Sequence, residues 1–318
     1  MRSYRRRVSS VDGTNPRGAG NPLAALGFDK AWMDTFAPFH AAGMLAGRVC
    51  SLDRSAVDAV GADGPVRATF GGGILQLIAD DPVAGPCTGD WVALRAWPDG
   101  RSTLEAILPR RTTLGRGAAW RGRGQPVAAN VDLVLVTVSL EITPNLTRTQ
   151  SLLALARASG AETAVVLTKA DLQPVGAQRH QSVMASVLGV DVLVAPAFPS
   201  NAVDRLSELA VPSRTVALIG EPGVGKSTLV TRLAGDASAA VAPGPAHSAG
   251  RRTTTREELL ILPTGALVVD TPGLLGIDLD EPARGSQGSG LPGARSPSAA
   301  RRAVSPIRPT TLNRPPWT

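Results

Sequence analysis

The sequence predicts an α/β fold in which a small β-barrel precedes a doubly wound, mostly parallel sheet. Three observations carry that prediction. Between Gly47 and Leu114, short apolar or alternating runs are broken by turn signals such as Asp63-Gly64, Gly71-Gly72-Gly73 and Pro98-Asp99-Gly100. From Val131 onward, β-branched apolar runs alternate with segments of helical spacing. One of those runs, Thr215–Ile219, leads through a Gly-rich segment into a helix. The 318 residues suit about two domains. A hydrophobic share of 43% and a charged share of 19% exclude fibrous and wholly disordered classes.

Residues 1–40 read as a basic arm and a short helix. Arg2, Arg5, Arg6 and Arg7 run into polar Ser-Ser-Val-Asp-Gly rather than an apolar signal core, and Asn15-Pro16 and Gly20-Asn21-Pro22 punctuate the chain before Trp32, Phe36 and Phe39. No stretch approaches the ~18 uninterrupted apolar residues of a membrane span, so a cytoplasmic chain without a membrane partner is expected.

Residues 41–115 are predicted as an OB-fold-like β-barrel, with strands at Arg48–Leu52, Val66–Phe70, Ile74–Ile78, Asp90–Ala96 and Ser102–Leu108. An SH3-like barrel would read almost the same. Cys50 and Cys87 form no CxxC pair, and His40, His180 and His247 are the only histidines. Both thiols therefore read as core residues, and no zinc site is expected.

Residues 116–277 are predicted as the doubly wound domain. Val131–Val138 reads as a strand buried on both faces, followed by helix Leu146–Ala158, strand Thr163–Leu167, helix Val175–Leu188, strand Val190–Val194, helix Val203–Leu209, strand Thr215–Ile219, helix Lys226–Ala234 and strand Ala266–Val269. Just before it, Arg110, Arg111, Arg116, Arg121 and Arg123 surround Trp120, with no carboxylate between Glu105 and Asp132. That cluster reads either as an RNA contact or as a solvated linker. Residues 278–318 are predicted to be a disordered basic tail rich in Pro, Arg and Ser. The formal net charge of +7 sits largely at the two ends, as suits a polyanionic partner or solvated tails.

The chemistry is concentrated in four segments. Gly220-Glu221-Pro222-Gly223-Val224-Gly225-Lys226-Ser227 fits GxxxxGK[ST], and Thr228 continues the helix that follows. Its glycines let backbone N–H groups wrap phosphates, Lys226 reaches the β and γ oxygens, and Ser227 offers a hydroxyl to Mg²⁺. Asp270-Thr271-Pro272-Gly273 ends a strand as DxxG, with Asp270 toward Mg²⁺ and the Gly273 amide toward a γ-phosphate. Thr168-Lys169-Ala170-Asp171 ends another strand as [NT]KxD. There the carboxylate accepts guanine N–H bonds and the lysine stem packs on the base, which selects GTP or GDP over ATP. Within Gly250–Thr255, one of Thr253, Thr254 and Thr255 supplies a γ-phosphate-dependent hydroxyl to Mg²⁺, with Thr254 taken as the candidate. Among 33 basic residues only Lys30, Lys169 and Lys226 are lysine, and two of the three fall in these motifs.

The order of the motifs is unusual. Ordinary GTPases run P-loop, switch threonine, DxxG and then base reader, whereas here the base reader comes first. The cyclic order is kept, as a circular permutation would leave it. With Gly89-Asp90-Trp91-Val92, Ile107-Leu108-Pro109-Arg110-Arg111 and Ala128-Ala129-Asn130-Val131-Asp132, the chain from Gly47 to Gly273 resembles the bacterial family known as ribosome small-subunit-dependent GTPase A.

The resemblance implies a circularly permuted P-loop GTPase domain behind an OB-fold. It also implies a factor that acts in late maturation of the small ribosomal subunit, contacts its rRNA, and hydrolyses GTP faster on the subunit; a monomer is expected. Thr168, Lys169 and Asp171 would bind guanine, and Gly220 to Thr228 the phosphates. Three departures stand out. Arg252 takes the place of the family's switch histidine. The base-supporting Ser-Ala motif has only Ala195-Pro196-Ala197 as its counterpart. The Cys/His zinc domain is missing, and the chain after Ile277 reads as a truncated or frame-shifted end. Leu274, where some GTPases carry a water-orienting Gln, points to slow intrinsic turnover. The alternatives are an RNA-binding protein with a vestigial or weakly active GTPase site, and a P-loop enzyme that uses ATP.

Overall fold

The computed structural model describes residues 22–116, 125–173, 176–195, 208–233 and 257–271. The chain enters through a short 3-10 turn at Pro22–Leu26 and then helix α1 (Lys30–Ala41). Asp29 caps α1 by accepting the Trp32 backbone N–H at 3.0 Å, which satisfies one of the helix's open donors. Trp32 and Phe36, one turn apart, form its buried face, and Phe28 packs on Phe36 and on Trp91 of the barrel.

Asp29 has a second partner. Arg111 donates both guanidinium ends to its carboxylate at 2.6 and 2.7 Å while lying 4.3 Å over the Trp32 ring. The Arg111 hydrogen bond, foremost, lowers the Asp29 pKa from 3.8 to about 2. A carboxylate depressed on folding stabilises above its ordinary value and loses that contribution on protonation. Wild type should therefore lose more stability than Asp29→Asn as pH falls from about 4 to 2. Urea melts across that window measure it, and parallel losses would contradict it.

Strands β1 (Leu45–Leu52), β2 (Ala56–Gly61), β3 (Gly64–Phe70), β4 (Trp91–Ala96) and β5 (Ser102–Ile107) close a barrel in the order β1-β2-β3-β5-β4. The β3–β5 contact is parallel and its neighbours antiparallel, with a helix inserted between β3 and β4, an arrangement consistent with the OB-fold. Val49, Val57, Ala59, Ala68, Val92, Leu94 and Leu104 fill it.

One expected strand is a helix. Residues Ile74–Ile78 lie in α2 (Gly72–Asp80), where Ile74 and Ile78 fall one turn apart and pack on the barrel core. Leu75 and Leu77 face away, 56% and 37% exposed. A five-residue apolar run satisfies either period, and here packing chose the helical one. The fifth strand is instead β2, whose alternation of buried Val57 and Ala59 around Asp58 is only six residues long.

Beyond the barrel, β6 (Thr113–Arg116) and β7 (Gln125–Ala129) form an antiparallel ribbon where the sequence reading placed no strand. The main sheet holds β8 (Leu133–Ser139), β9 (Glu162–Thr168), β10 (Val192–Val194), β11 (Thr215–Ile219), β12 (Glu258–Ile261) and β13 (Leu267–Asp270), in the order β10-β9-β8-β11-β13-β12. All its pairs are parallel except β12–β13. Helices α3 (Leu146–Ala158), α4 (Ala177–Leu188) and α5 (Lys226–Leu233) match three expected helices to within two residues at either end. The chain winds outward from β8 through β9 to β10, then returns to lay β11 on the other side of β8. That reversal opens a crevice at the carboxyl ends of the strands, where doubly wound sheets bind ligands.

The barrel and the sheet are locked together by a buried cation. Arg48 of β1 is 2% exposed and donates to the carbonyls of Gly89 (3.1 Å), Leu26 (2.6 Å) and Asn130 (2.9 Å) and to Thr215 Oγ1 at the start of β11 (3.0 Å). Burial lowers its pKa to about 10, against the attraction of Asp132. Cys50 and Cys87 are buried free thiols, as the sequence predicts, and burial pushes Cys50 up to about 12. Among the described residues no helix is long and apolar enough to cross a membrane. The expected helix Val203–Leu209 lies outside the described residues up to 207, as do residues 1–21 and the tail.

Candidate functional site

The site grows from β11, buried over all five residues. Gly220, Gly223 and Gly225 carry φ of 152°, 73° and 103°, a region that favours glycine. A Cβ on Gly220 would lie 2.5 Å from the Thr137 carbonyl oxygen of β8, so only glycine leaves the sheet there. Val224 is buried and pins the loop, while Glu221, Pro222, Gly223, Ser227 and Thr228 are exposed. The loop thus offers an accessible rim at the start of α5, the place where a helix dipole and backbone N–H groups favour phosphate.

Lys226 is 8% exposed, and its Nζ donates to the Gly220 and Glu221 carbonyls at 3.0 and 2.8 Å. Burial lowers its pKa, opposed by the charges of Asp270 and Glu221. Arg148 of α3 pairs with Glu221 from outside the loop.

Thr168 ends β9, and its buried hydroxyl donates to the Val138 carbonyl at 3.2 Å and to the Val224 carbonyl of the phosphate loop. A Cβ on Gly225 would meet the Thr168 Cβ at 3.5 Å. The end of β9 and the loop after β11 therefore touch, although 56 residues separate Thr168 from Val224. Lys169 turns the chain in the left-handed region (φ 53°) and pairs with Glu141. Asp171 follows in a 3-10 turn at Ala170–Leu172, exposed to solvent.

Asp270 closes β13, 5% exposed, in register with Leu218 one strand over. Thr271 Oγ1 donates to the Leu218 carbonyl at 2.7 Å and ties this end to the root of the phosphate loop. A carboxylate such as Asp270 and a hydroxyl such as Ser227 are oxygen donors, the kind of ligand that suits Mg²⁺, an ion that takes few protein ligands and completes its shell with phosphate and water. Gly273, and Thr254 with the rest of Gly250–Thr255, lie outside the described residues.

The family described as RsgA GTPase matches residues 107–280. The chain belongs to the RsgA GTPase family. A relative from Streptomyces coelicolor, a small ribosomal subunit biogenesis GTPase RsgA, is 42% identical over 83% of this chain and 72% of its own. One from Opitutus terrae with the same description is 38% identical over 81% and 73%. Among solved structures, YjeQ from Thermotoga maritima superposes with a TM-score of 0.54 at 24% identity, covering 72% of this chain and 75% of that one, which shows the fold. The order of motifs along this RsgA GTPase is the permuted one, with Thr168-Lys169-Ala170-Asp171 at the end of β9 preceding the glycine-rich loop after β11.

Two arginines of the basic cluster are engaged within this RsgA GTPase. Arg110 is bound to the fully buried Asp90 carboxylate through Nε and Nη2, each at 2.8 Å, and Arg111 to Asp29. Trp120, Arg121 and Arg123 lie outside the described residues. Sequence reasoning missed Arg48 and Thr88. Arg48 is one of many arginines and carries no motif, whereas Thr88 directly precedes the Gly89-Asp90-Trp91-Val92 segment, a signal that was available.

Proposed function

We propose that this chain binds GTP and GDP with Mg²⁺, and hydrolyses GTP as a late maturation factor of the small ribosomal subunit, stimulated by the subunit and its rRNA. It acts as a cytoplasmic monomer with no membrane partner. Residues 41–115 serve as the barrel domain and 116–277 as the GTPase domain. The observation that supports this most is the contact of Thr168 with Val224, which joins the segment read here as the guanine reader to the one read as the phosphate cradle.

In this reading Thr168, Lys169 and Asp171 hold the base, Asp171 accepting its N–H groups, and residues Gly220–Thr228 hold the phosphates. An adenine would leave the Asp171 carboxylate without donors, which disfavours ATP. Lys226 exchanges the carbonyls of Gly220 and Glu221 for phosphate oxygens and offsets the charge that develops as water displaces the γ-phosphate in line. Ser227 and Asp270, with Thr254 from the threonine run, would hold Mg²⁺, whose charge offsets that of the phosphates when bound. Gly273 offers its amide to the γ-phosphate.

GTP turnover measured with and without small ribosomal subunits tests the proposal. Expected is a slow rate for the chain alone, on the order of 10⁻⁴ to 10⁻² per second, and a higher one with subunits. Turnover indifferent to subunits, or ATP displacing labelled GDP as well as GTP does, would refute it.

A further inference from the structure

Three motifs that the nucleotide site leaves unused meet at one turn, Thr88-Gly89-Asp90. The Thr88 carbonyl accepts the Ala129 N–H at 2.9 Å, and the Gly89 N–H donates to the Val49 carbonyl at 2.9 Å. The Gly89 carbonyl accepts Arg48 Nε and Asn130 Nδ2, each at 3.1 Å. Asp90 accepts the Cys87 N–H at 2.8 Å along with Arg110, and its own carbonyl accepts the Val49 N–H at 2.9 Å. Thr88 and Asp90 are both 0% exposed. The polar groups of this turn are bound to several separate elements, and each bond removes a way for the turn to shift.

Besides Ala129 and Asn130, the turn holds a residue beside the main sheet. Thr88 Oγ1 donates to the carbonyl of Glu257 at 3.2 Å. Glu257 follows the threonine run by two residues and immediately precedes β12, whose Glu258 lies opposite Asp270 in the β12–β13 pair. The hydroxyl therefore grips the chain where it passes from the run carrying Thr254 to the strand beside the Mg²⁺-side carboxylate.

We propose that Thr88 is a positioning residue for the γ-phosphate state: by holding the Glu257 carbonyl to the barrel, it sets where the threonine run re-enters the sheet. The inference rests on the GTPase reading above and adds a route by which a partner bound to the barrel acts on the nucleotide. In that reading the threonine run is engaged only by a ligand with a γ-phosphate, so losing the grip would penalise GTP and spare GDP.

The test compares wild type, Thr88→Ser and Thr88→Val as full chains, measuring affinity for GDP and for a non-hydrolysable GTP analogue with Mg²⁺, with thermal melts alongside. Val keeps the shape and removes the donor, while Ser keeps the donor and removes the methyl. Thr88→Val should weaken the analogue by about threefold to tenfold, the worth of one neutral hydrogen bond, leave GDP unchanged, and lower kcat without raising KM for GTP in proportion. Thr88→Ser should restore both. Equal losses for GDP and analogue, no loss in Thr88→Val, or a loss in Thr88→Ser matching that in Thr88→Val would overturn the inference. A wild type that binds no guanine nucleotide would instead sink the GTPase reading itself.

Discussion

Replacing Lys226 with Met should slow GTP hydrolysis by about 10²–10³-fold, the typical cost of deleting one donor aimed at charge that develops in the transition state. Lys226 sits 8% exposed within the loop, its ammonium bound only to the Gly220 and Glu221 carbonyls among the contacts described for it. In so enclosed a place a charge meets phosphate with little intervening water, so its loss is felt far more than at the surface. Stability should change little. Met keeps a stem of similar length, and Glu221 is exposed, so its carbonyl can turn to water. The two lost hydrogen bonds are worth on the order of 1 kcal/mol each. Removing the cation also ends the burial cost that lowers its pKa. Single-turnover hydrolysis at saturating GTP, with urea melts, measures both quantities. Turnover within threefold of wild type would show that the ammonium does not act on the reacting phosphate.

Much of this molecule could be read in its sequence because the relevant signals are local. The phosphate loop needs glycine where φ is positive or a carbonyl is close, and Gly220, Gly223 and Gly225 stand at those positions. β8, β9 and β11 are apolar on both faces because both are covered, and such runs have few other readings. Reading failed where contacts decide. Ile74–Ile78 became a helix because the barrel accepts two isoleucines a turn apart. β12 begins as Glu258-Leu259-Leu260-Ile261, and its edge position beside β13 sets its structure more than its own pattern does. Arg110 and Arg111 advertised charge, but Asp90 and Asp29 neutralise them within the fold. Sequence separations of 20 and 82 residues hide those pairs from any local reading. The site was legible where it is a loop after a strand, and illegible where it is a junction.

The junction makes the largest stability prediction, at Gly89. Its φ is 89°, and a Cβ there would lie 2.2 Å from the Ala129 carbonyl oxygen, well inside any tolerated contact. The obstructing atom is backbone, and neither side can yield freely. Ala129 N–H is bound to the Thr88 carbonyl, Gly89 N–H to Val49, and the Gly89 carbonyl to Arg48 and Asn130. Moving the turn would also loosen Arg48, a fully buried cation whose bonds are its compensation for leaving water. Gly89→Ala should therefore cost about 3–5 kcal/mol, the range reserved for strain combined with a broken buried network. Gly100→Ala separates the causes, because Gly100 has a similar φ of 85° with nothing within 4 Å of the added Cβ. It should cost only about 1 kcal/mol, the penalty for alanine in the left-handed region. Urea denaturation of the two variants gives the difference directly. If Gly89→Ala is no less stable than Gly100→Ala, the turn is softer than its hydrogen bonds imply, and the rigid support on which Thr88 depends is lost with it.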